Sequence, residues 1–222
     1  MGEIFEILMN FIFPPHCPRC RKYVENRGDW CAQCLSVACQ PHRLPLTAPM
    51  QSVIDSAWAL SVYREGTREL IRGLKYHGRR GNLPYIYRIL RAAEDRETVR
   101  KLLAESHLAV AVPLHEKKQR LRGFNQTELI FRDWLQENGV PMENTICRIR
   151  QTKPMYQLTP RERMANLKGA FVATHQAAVE GKTVLLVDDI MTTGATLYAC
   201  ASVLKQAGAG RILVLVLASD HG

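Results

Sequence analysis

The sequence predicts an α/β fold, a mostly parallel sheet flanked by helices, with a small cysteine-rich module in front of it. Three observations carry this. Short, nearly continuous apolar runs alternate with helical stretches along most of the chain. The 222 residues are 46% apolar, enough to build a sizeable core. Four of the seven cysteines fall in two C-x-x-C pairs near the start, and an odd count in a chain without a secretory leader reads as metal binding rather than disulfides.

From the beginning, Ile4, Phe5, Ile7, Leu8, Phe11 and Ile12 recur at helical spacing over Glu3 to Phe13, and Pro14-Pro15 stops the pattern. The segment is short, carries Glu3 and Glu6 and lacks a basic leading region. With no run of eighteen apolar residues elsewhere, the expectation is no membrane span and a cytoplasmic location.

From His16 to His42 the chain lacks long apolar runs and cannot build a core of its own without a metal. Cys17-x-x-Cys20, ten residues, then Cys31-x-x-Cys34 sets four thiolates in two tight turns. That arrangement suits a tetrahedral, closed, structural Zn²⁺ site, a zinc ribbon. His16, Cys39 and His42 read as bystanders, and Cys147 and Cys200 as core thiols. Arg19, Arg21, Lys22 and Arg27 are interleaved with Tyr23 and Trp30, a pattern that suits single-stranded nucleic acid and equally describes a solvated rim. Pro41, Pro45 and Pro49 mark a break, dividing the chain into residues 1–45 and 46–222.

Beyond the break, Leu108 to Val112, Thr183 to Val187 and Ile212 to Leu217 are apolar enough to be strands covered on both faces. Helices are expected from Gly123 to Asn138, stopped by Gly139, and from Thr196 to Ala207, with Gly208 as C-cap. No internal repeat is evident. The net charge of +9 favours anionic partners without choosing among phosphorylated metabolites, nucleic acid and membrane surfaces.

The densest chemistry follows the second of these strands. Asp188 and Asp189 stand at its carboxyl end, and Met191-Thr192-Thr193-Gly194-Ala195-Thr196 opens the next helix. Backbone N–H groups at a helix start favour phosphate, the threonine hydroxyls add donors, and Gly194 permits close backbone approach. Ionised carboxylates accept hydrogen bonds from vicinal sugar hydroxyls. Together these make a site for a phosphorylated sugar. Gly181-Lys182-Thr183 is no P-loop, because it precedes the strand and Gln176 stands where the first glycine belongs. A receiver domain is excluded because only about thirty residues follow the acids, too few for its remaining β/α units.

Val184 to Thr196 resembles the signature of type I phosphoribosyltransferases. That resemblance implies that Asp188 and Asp189, the expected catalytic pair, hold the ribose hydroxyls of 5-phosphoribosyl-1-pyrophosphate (PRPP), and that residues 191–196 cradle its 5′-phosphate. Upstream, His115 to Gln126 reads as a basic turn leading into a helix. There His115, Arg120, Arg122, Gly123, Asn125 and Gln126 are candidate ligand contacts, the arginines for pyrophosphate. A third segment, Arg148 to Lys168, has six basic residues, Arg163 among them, and one acid. It reads as a loop that closes over an anionic ligand and equally as a solvated linker.

These blocks and their order, with the leading cysteine module and the string Arg122-Gly-Phe-Asn-Gln126, resemble the ComF family, related to GntX, over nearly the whole chain. The family pattern implies a Leu74-Lys75 turn with Lys75 near the pyrophosphate, and Mg²⁺ arriving with PRPP. It also implies association with DNA uptake, with single-stranded DNA and a DNA-translocating competence protein as partners. In the third segment, read in the register Thr152, Leu158, Arg163, Asn166, Met155 stands where the family commonly has glutamine. Two function classes follow: a transferase in which an acceptor attacks C1 of the ribose, or a DNA- or partner-binding module in which PRPP is a regulatory ligand. No glutaminase-type amino-terminal cysteine is present, which disfavours the glutamine-dependent amidotransferase reaction.

Overall fold

The computed structural model describes residues 12–152 and 159–221, and the expected amino-terminal helix and Met155 lie outside them. The order of elements is α1 (Ala32–Ala38), β1 (Cys39–Arg43), α2 (Ala48–Gln51), β2 (Ser56–Val62), α3 (Glu65–His77), α4 (Leu83–Glu94), α5 (Glu97–Glu105), β3 (Leu108–Ala111), α6 (Glu116–Arg122), α7 (Gln126–Glu137), β4 (Ile146–Arg148), α8 (Pro160–Leu167), β5 (Phe171–Ala173), α9 (Gln176–Val179), β6 (Thr183–Met191), α10 (Ala195–Gln206) and β7 (Arg211–Ser219).

Five strands form the main sheet in the order β1-β2-β7-β6-β3. β2, β7, β6 and β3 run parallel, and β1 pairs antiparallel with β2 along one edge. The three apolar runs are the central part of this sheet, and β6 continues through the acids to Met191. Period-2 alternation divides their side chains between two cores. Leu185 and Val187 of β6 with Leu213, Leu215 and Leu217 of β7 face one side, against α3, α4, α5 and α7. Val184 and Leu186 with Ile212, Val214 and Val216 face the other, against α10. Phe131 and Trp134 of α7 are fully buried, each burial contributing on the order of 2–3 kcal/mol.

Because four strands are parallel, their carboxyl ends share one edge of the sheet, where ligands of open α/β sheets bind. The connections after β2, β3 and β6 therefore meet there. The helix after β3 differs from expectation. Residues 116–122 form the separate helix α6, ended by Gly123 at φ 79, and α7 starts only at Gln126 under the Asn125 cap. The third segment also contains structure: β4 pairs with β5, and α8 begins with a capping box in which Thr159 and Glu162 satisfy each other's backbone amides.

The cysteine module shares the first core. Cys17, Val24, Trp30 and Cys34 belong to the same buried cluster as α3 and α4. Trp30 is 6% exposed and donates from Nε1 to the Tyr85 carbonyl at 2.8 Å, so it is a core anchor and not a face for base stacking. A side chain at Gly28 would place its Cβ 2.5 Å from that of Pro84. Tyr23, 66% exposed, remains at the surface.

Candidate functional site

The acid pair sits where β6 leaves the sheet. Its two carboxylates receive different environments because successive strand residues point to opposite faces. Asp189 is 2% exposed and ion-paired to Lys75, whose Nζ lies 3.2 Å from Oδ1 and 3.1 Å from Oδ2. Asp188 is partly exposed; its Oδ1 accepts from the Thr127 hydroxyl at 3.2 Å and from the Asp189 backbone N–H at 2.8 Å. Burial and the neighbouring Asp189 charge push the Asp188 carboxyl up to about 7, with Lys75 and these hydrogen bonds opposing. Burial works against the Lys75 charge, yet Asp189 and Asp188 outweigh it and hold its pKa above the usual lysine value.

Lys75 reaches the pair from the last turn of α3. The Leu74-Lys75 pair is thus helical, and the turn follows at Gly78, φ 60. α3 buries Leu70, Ile71 and Leu74, and this stripe fixes the rotation that turns Lys75 toward the strand end.

After β6, Gly194 caps α10 in the left-handed conformation, φ 71. A Cβ there would lie 2.5 Å from Met50 Cε and 3.1 Å from Met191 Cε. The left-handed backbone is what calls for glycine here, and the two methionine ends pack into the space it leaves. Thr192 is exposed and Thr193 and Thr196 half-buried, around a cavity of about 50 Å³ lined by Asp188, Met191, Ala195 and these threonines. Threonine hydroxyls and a helix start converge there, the kind of chemistry that suits an anion.

α6 sorts the basic residues of the second segment. Residues 118 and 122 share one face and 116 and 120 another. Arg122 faces inward: it donates to Gln126 Oε1, burial lowers its pKa and the Asp189 charge opposes this. Lys118 is exposed but lies on the Arg122 face, its pKa lowered by partial burial and by the charges of Arg148, Lys75 and Arg122. Arg120 instead pairs with Glu116 on the exposed face, and its expected ligand contact is not supported by this placement. His115 and Asn125 are caps. His115 Nδ1 accepts from the Lys117 amide at 3.2 Å, and Asn125 accepts from the Thr127 amide while donating to the Val112 carbonyl. Gln126, 3% exposed, holds Arg122. The Arg163 side chain lies outside the described part of α8.

Thr127 and Lys118, which the sequence did not single out, belong to this neighbourhood, as does Arg148, expected only as one basic residue of the third segment. Arg148 lies over the Phe171 ring, 5.5 Å from its centroid, and its Nε is buried without a hydrogen-bond partner. Burial lowers its pKa, and the Asp188 charge acts in the opposite sense. Reading residues 116–122 as a helix would have found Lys118, because it stands one turn before Arg122.

At the other site, the four sulfurs of Cys17, Cys20, Cys31 and Cys34 lie within 4.8 Å of one another. A regular tetrahedron with Zn–S bonds of about 2.3 Å separates sulfurs by about 3.8 Å, so the quartet fits one zinc ion. Against the opposing effect of burial, the backbone amides of Cys20, Cys31 and Arg19 bring the Cys17 thiol down to about 7. Burial and the neighbouring thiols push Cys34 up to about 12. Cys39, held in the core, is pushed up to about 11 by burial, and Cys147 on β4 is half-buried rather than enclosed.

Residues 138–222 match the model of the phosphoribosyl transferase domain. The DNA utilization protein YhgH of Salmonella typhimurium is 29% identical over 207 residues, covering 90% of this chain and 88% of that protein. Competence protein F of Haemophilus influenzae is 26% identical over 207 residues, covering 92% of this chain and 84% of its own length. Competence protein ComFC of Bacillus subtilis is 30% identical over 112 residues, covering 50% of this chain and 44% of that one. Among the described residues no helix is long and apolar enough to cross a membrane. Fold, cysteine quartet and relatives agree: the chain is similar to these DNA utilization and competence proteins over most of its length, its carboxyl-terminal part matches a phosphoribosyl transferase domain, and its four-cysteine cluster is compatible with structural zinc.

Proposed function

We propose that this chain binds PRPP, with Mg²⁺ accompanying the pyrophosphate, and acts in the cytoplasm as a phosphoribosyltransferase-like protein in the use of external DNA. The observation that carries the reading is the Asp188–Asp189 pair at the end of β6, flanked by the Thr192–Thr196 helix start on one side and by Lys75 on the other. The threonine turn takes the 5′-phosphate and the carboxylates take the ribose hydroxyls. Lys75, Arg122, Lys118 and Arg148 supply positive charge for the pyrophosphate. Transfer then consists of an acceptor attacking C1 while the bond from C1 to pyrophosphate breaks and the pyrophosphate leaves with the electron pair. Catalysis rests on leaving-group charge stabilisation and orientation, with no protein nucleophile.

Isothermal titration of PRPP with Mg²⁺ into wild type and the Asp188→Asn, Asp189→Asn double variant tests this. Wild type gives saturable heat and the double variant gives none; no heat from folded, zinc-loaded wild type overturns the reading. The relatives' names and the +9 charge support the link to DNA. Single-strand binding measured across a salt series checks it, since phosphate contacts are strongest at low ionic strength; no affinity there removes direct DNA binding.

A further inference from the structure

We propose that Arg19 and Glu65 are positioning residues through which the cysteine module sets the place of Lys75, so that metal loading and ligand binding are coupled along helix α3. The inference rests on the reading of the strand end as a PRPP site. Its foundation is that one helix touches both sites. The first turn of α3 lies against the cysteine module, and its last turn delivers Lys75 to Asp189, 3.1 Å away. Ten residues of α-helix separate Glu65 from Lys75, about 15 Å along the axis.

The contacts at the module end are specific. Arg19, between the first two cysteines, donates from Nε to the Glu65 carboxylate and from its guanidinium to Cys34 Sγ at 4.0 Å. The same arginine therefore joins a metal-binding sulfur to the first residue of α3. Glu65 is held at φ 38, in the left-handed region that a glutamate adopts only where its surroundings impose it. Gly66, next along, lets the module sit close, since a Cβ there would lie 3.1 Å from the Trp30 ring and 3.2 Å from Arg19 Cβ. A cleft of about 210 Å³ between Arg19, Trp30, Glu65 and Thr67 leaves room for this seam to shift. When the four sulfurs close on one ion, Arg19 and Trp30 take fixed positions, the strained start of α3 is held, and the helix is seated. Without that closure, the start of α3 loses its support and Lys75 is placed less tightly against Asp189.

The decisive variant is Arg19→Met, which keeps the aliphatic stem and removes the charge. Titrated with PRPP and Mg²⁺ at wild-type zinc content, it binds about fivefold more weakly, the size expected of a partly exposed pair with modest coupling. Arg19→Lys, which restores the pair with Glu65, recovers most of the affinity, and Glu65→Gln behaves as Arg19→Met does. Coupling is reciprocal, so PRPP also raises the zinc affinity of wild type, measured by competition with a zinc-selective indicator. Wild-type PRPP affinity in Arg19→Met, or a zinc affinity unchanged by PRPP, overturns the proposal. Should Arg19→Met release its zinc, the wild-type competition alone decides. A wild type that gives no heat with PRPP fails the underlying site reading instead, a different and distinguishable result.

Discussion

The acid pair and the cysteine quartet are both clusters of acidic side chains, and they are built in opposite ways. The quartet is closed: four sulfurs face one another, and the ring around them is tied into the core through Trp30 and Cys17. The strand end is open, with Asp188 partly exposed, Asp189 ion-paired to Lys75, and the half-buried Arg122 close enough for the Asp189 charge to act on it. A closed cluster converts ligand binding into folding energy, while an open one holds charge in readiness for a ligand and accepts a cost in stability.

The sharpest way to break that contrast is to remove one thiolate. Cys34→Ser is expected to lose zinc and destabilise the whole chain by about 3–5 kcal/mol, because the module shares its core with α3 and α4. Metal analysis and thermal melting check both parts. A variant that loses zinc but melts like wild type shows the module to be an independent appendage.

Next in size is Lys75→Met. It leaves Asp189, 2% exposed, without its cation, and should cost on the order of 3 kcal/mol in urea unfolding at pH 7. An unchanged midpoint removes the ion pair from the account of the site. Asp188→Asn acts in the other direction. The folded carboxyl titrates near 7 and the unfolded one near 3.8, so protonation favours the folded state. That stability is lost as pH rises between those values. The variant escapes the loss and should gain on the order of 2 kcal/mol over ligand-free wild type at pH 8, with little gain at pH 4. A difference that does not grow with pH contradicts the buried-charge picture. The smallest effect is a pair of arginines. Arg122→Ala should weaken PRPP binding about tenfold, whereas Arg120→Ala, paired with Glu116 at the surface, should change it less than about twofold. Equal losses would mean that α6 is turned differently in the bound state.

The sheet was legible because its strands are buried on both faces and announce themselves as unbroken apolar runs; Thr183 to Val187 lies wholly within β6. The acid pair was legible because its residue types stand next to one another. What escaped has a physical reason. α6 has no apolar stripe, and its one large apolar residue, Leu121, is 91% exposed, so no periodicity marks it as a helix. Without the helix, Arg120 and Lys118 could not be sorted to opposite faces. Trp30 looked like a surface aromatic because four basic residues precede it in sequence, and its burial and its bond to Tyr85 on a distant helix show it turned inward. Thr127 needed the position of the Asn125 cap, which aims the first turn of α7 at the strand end.

Gly194 is backed by the thioether groups of Met50 and Met191, so the floor under the proposed phosphate turn is made of sulfur. Thioethers gain an oxygen under peroxide, which makes them bulkier and polar. Both methionines are buried, at 3% and 2% exposure, so this chemistry reaches them only when the site opens. Met50, a residue of the short helix α2 far away in sequence, thus reaches the strand end from behind, and a change in its side chain would be felt there without altering any residue that faces a ligand.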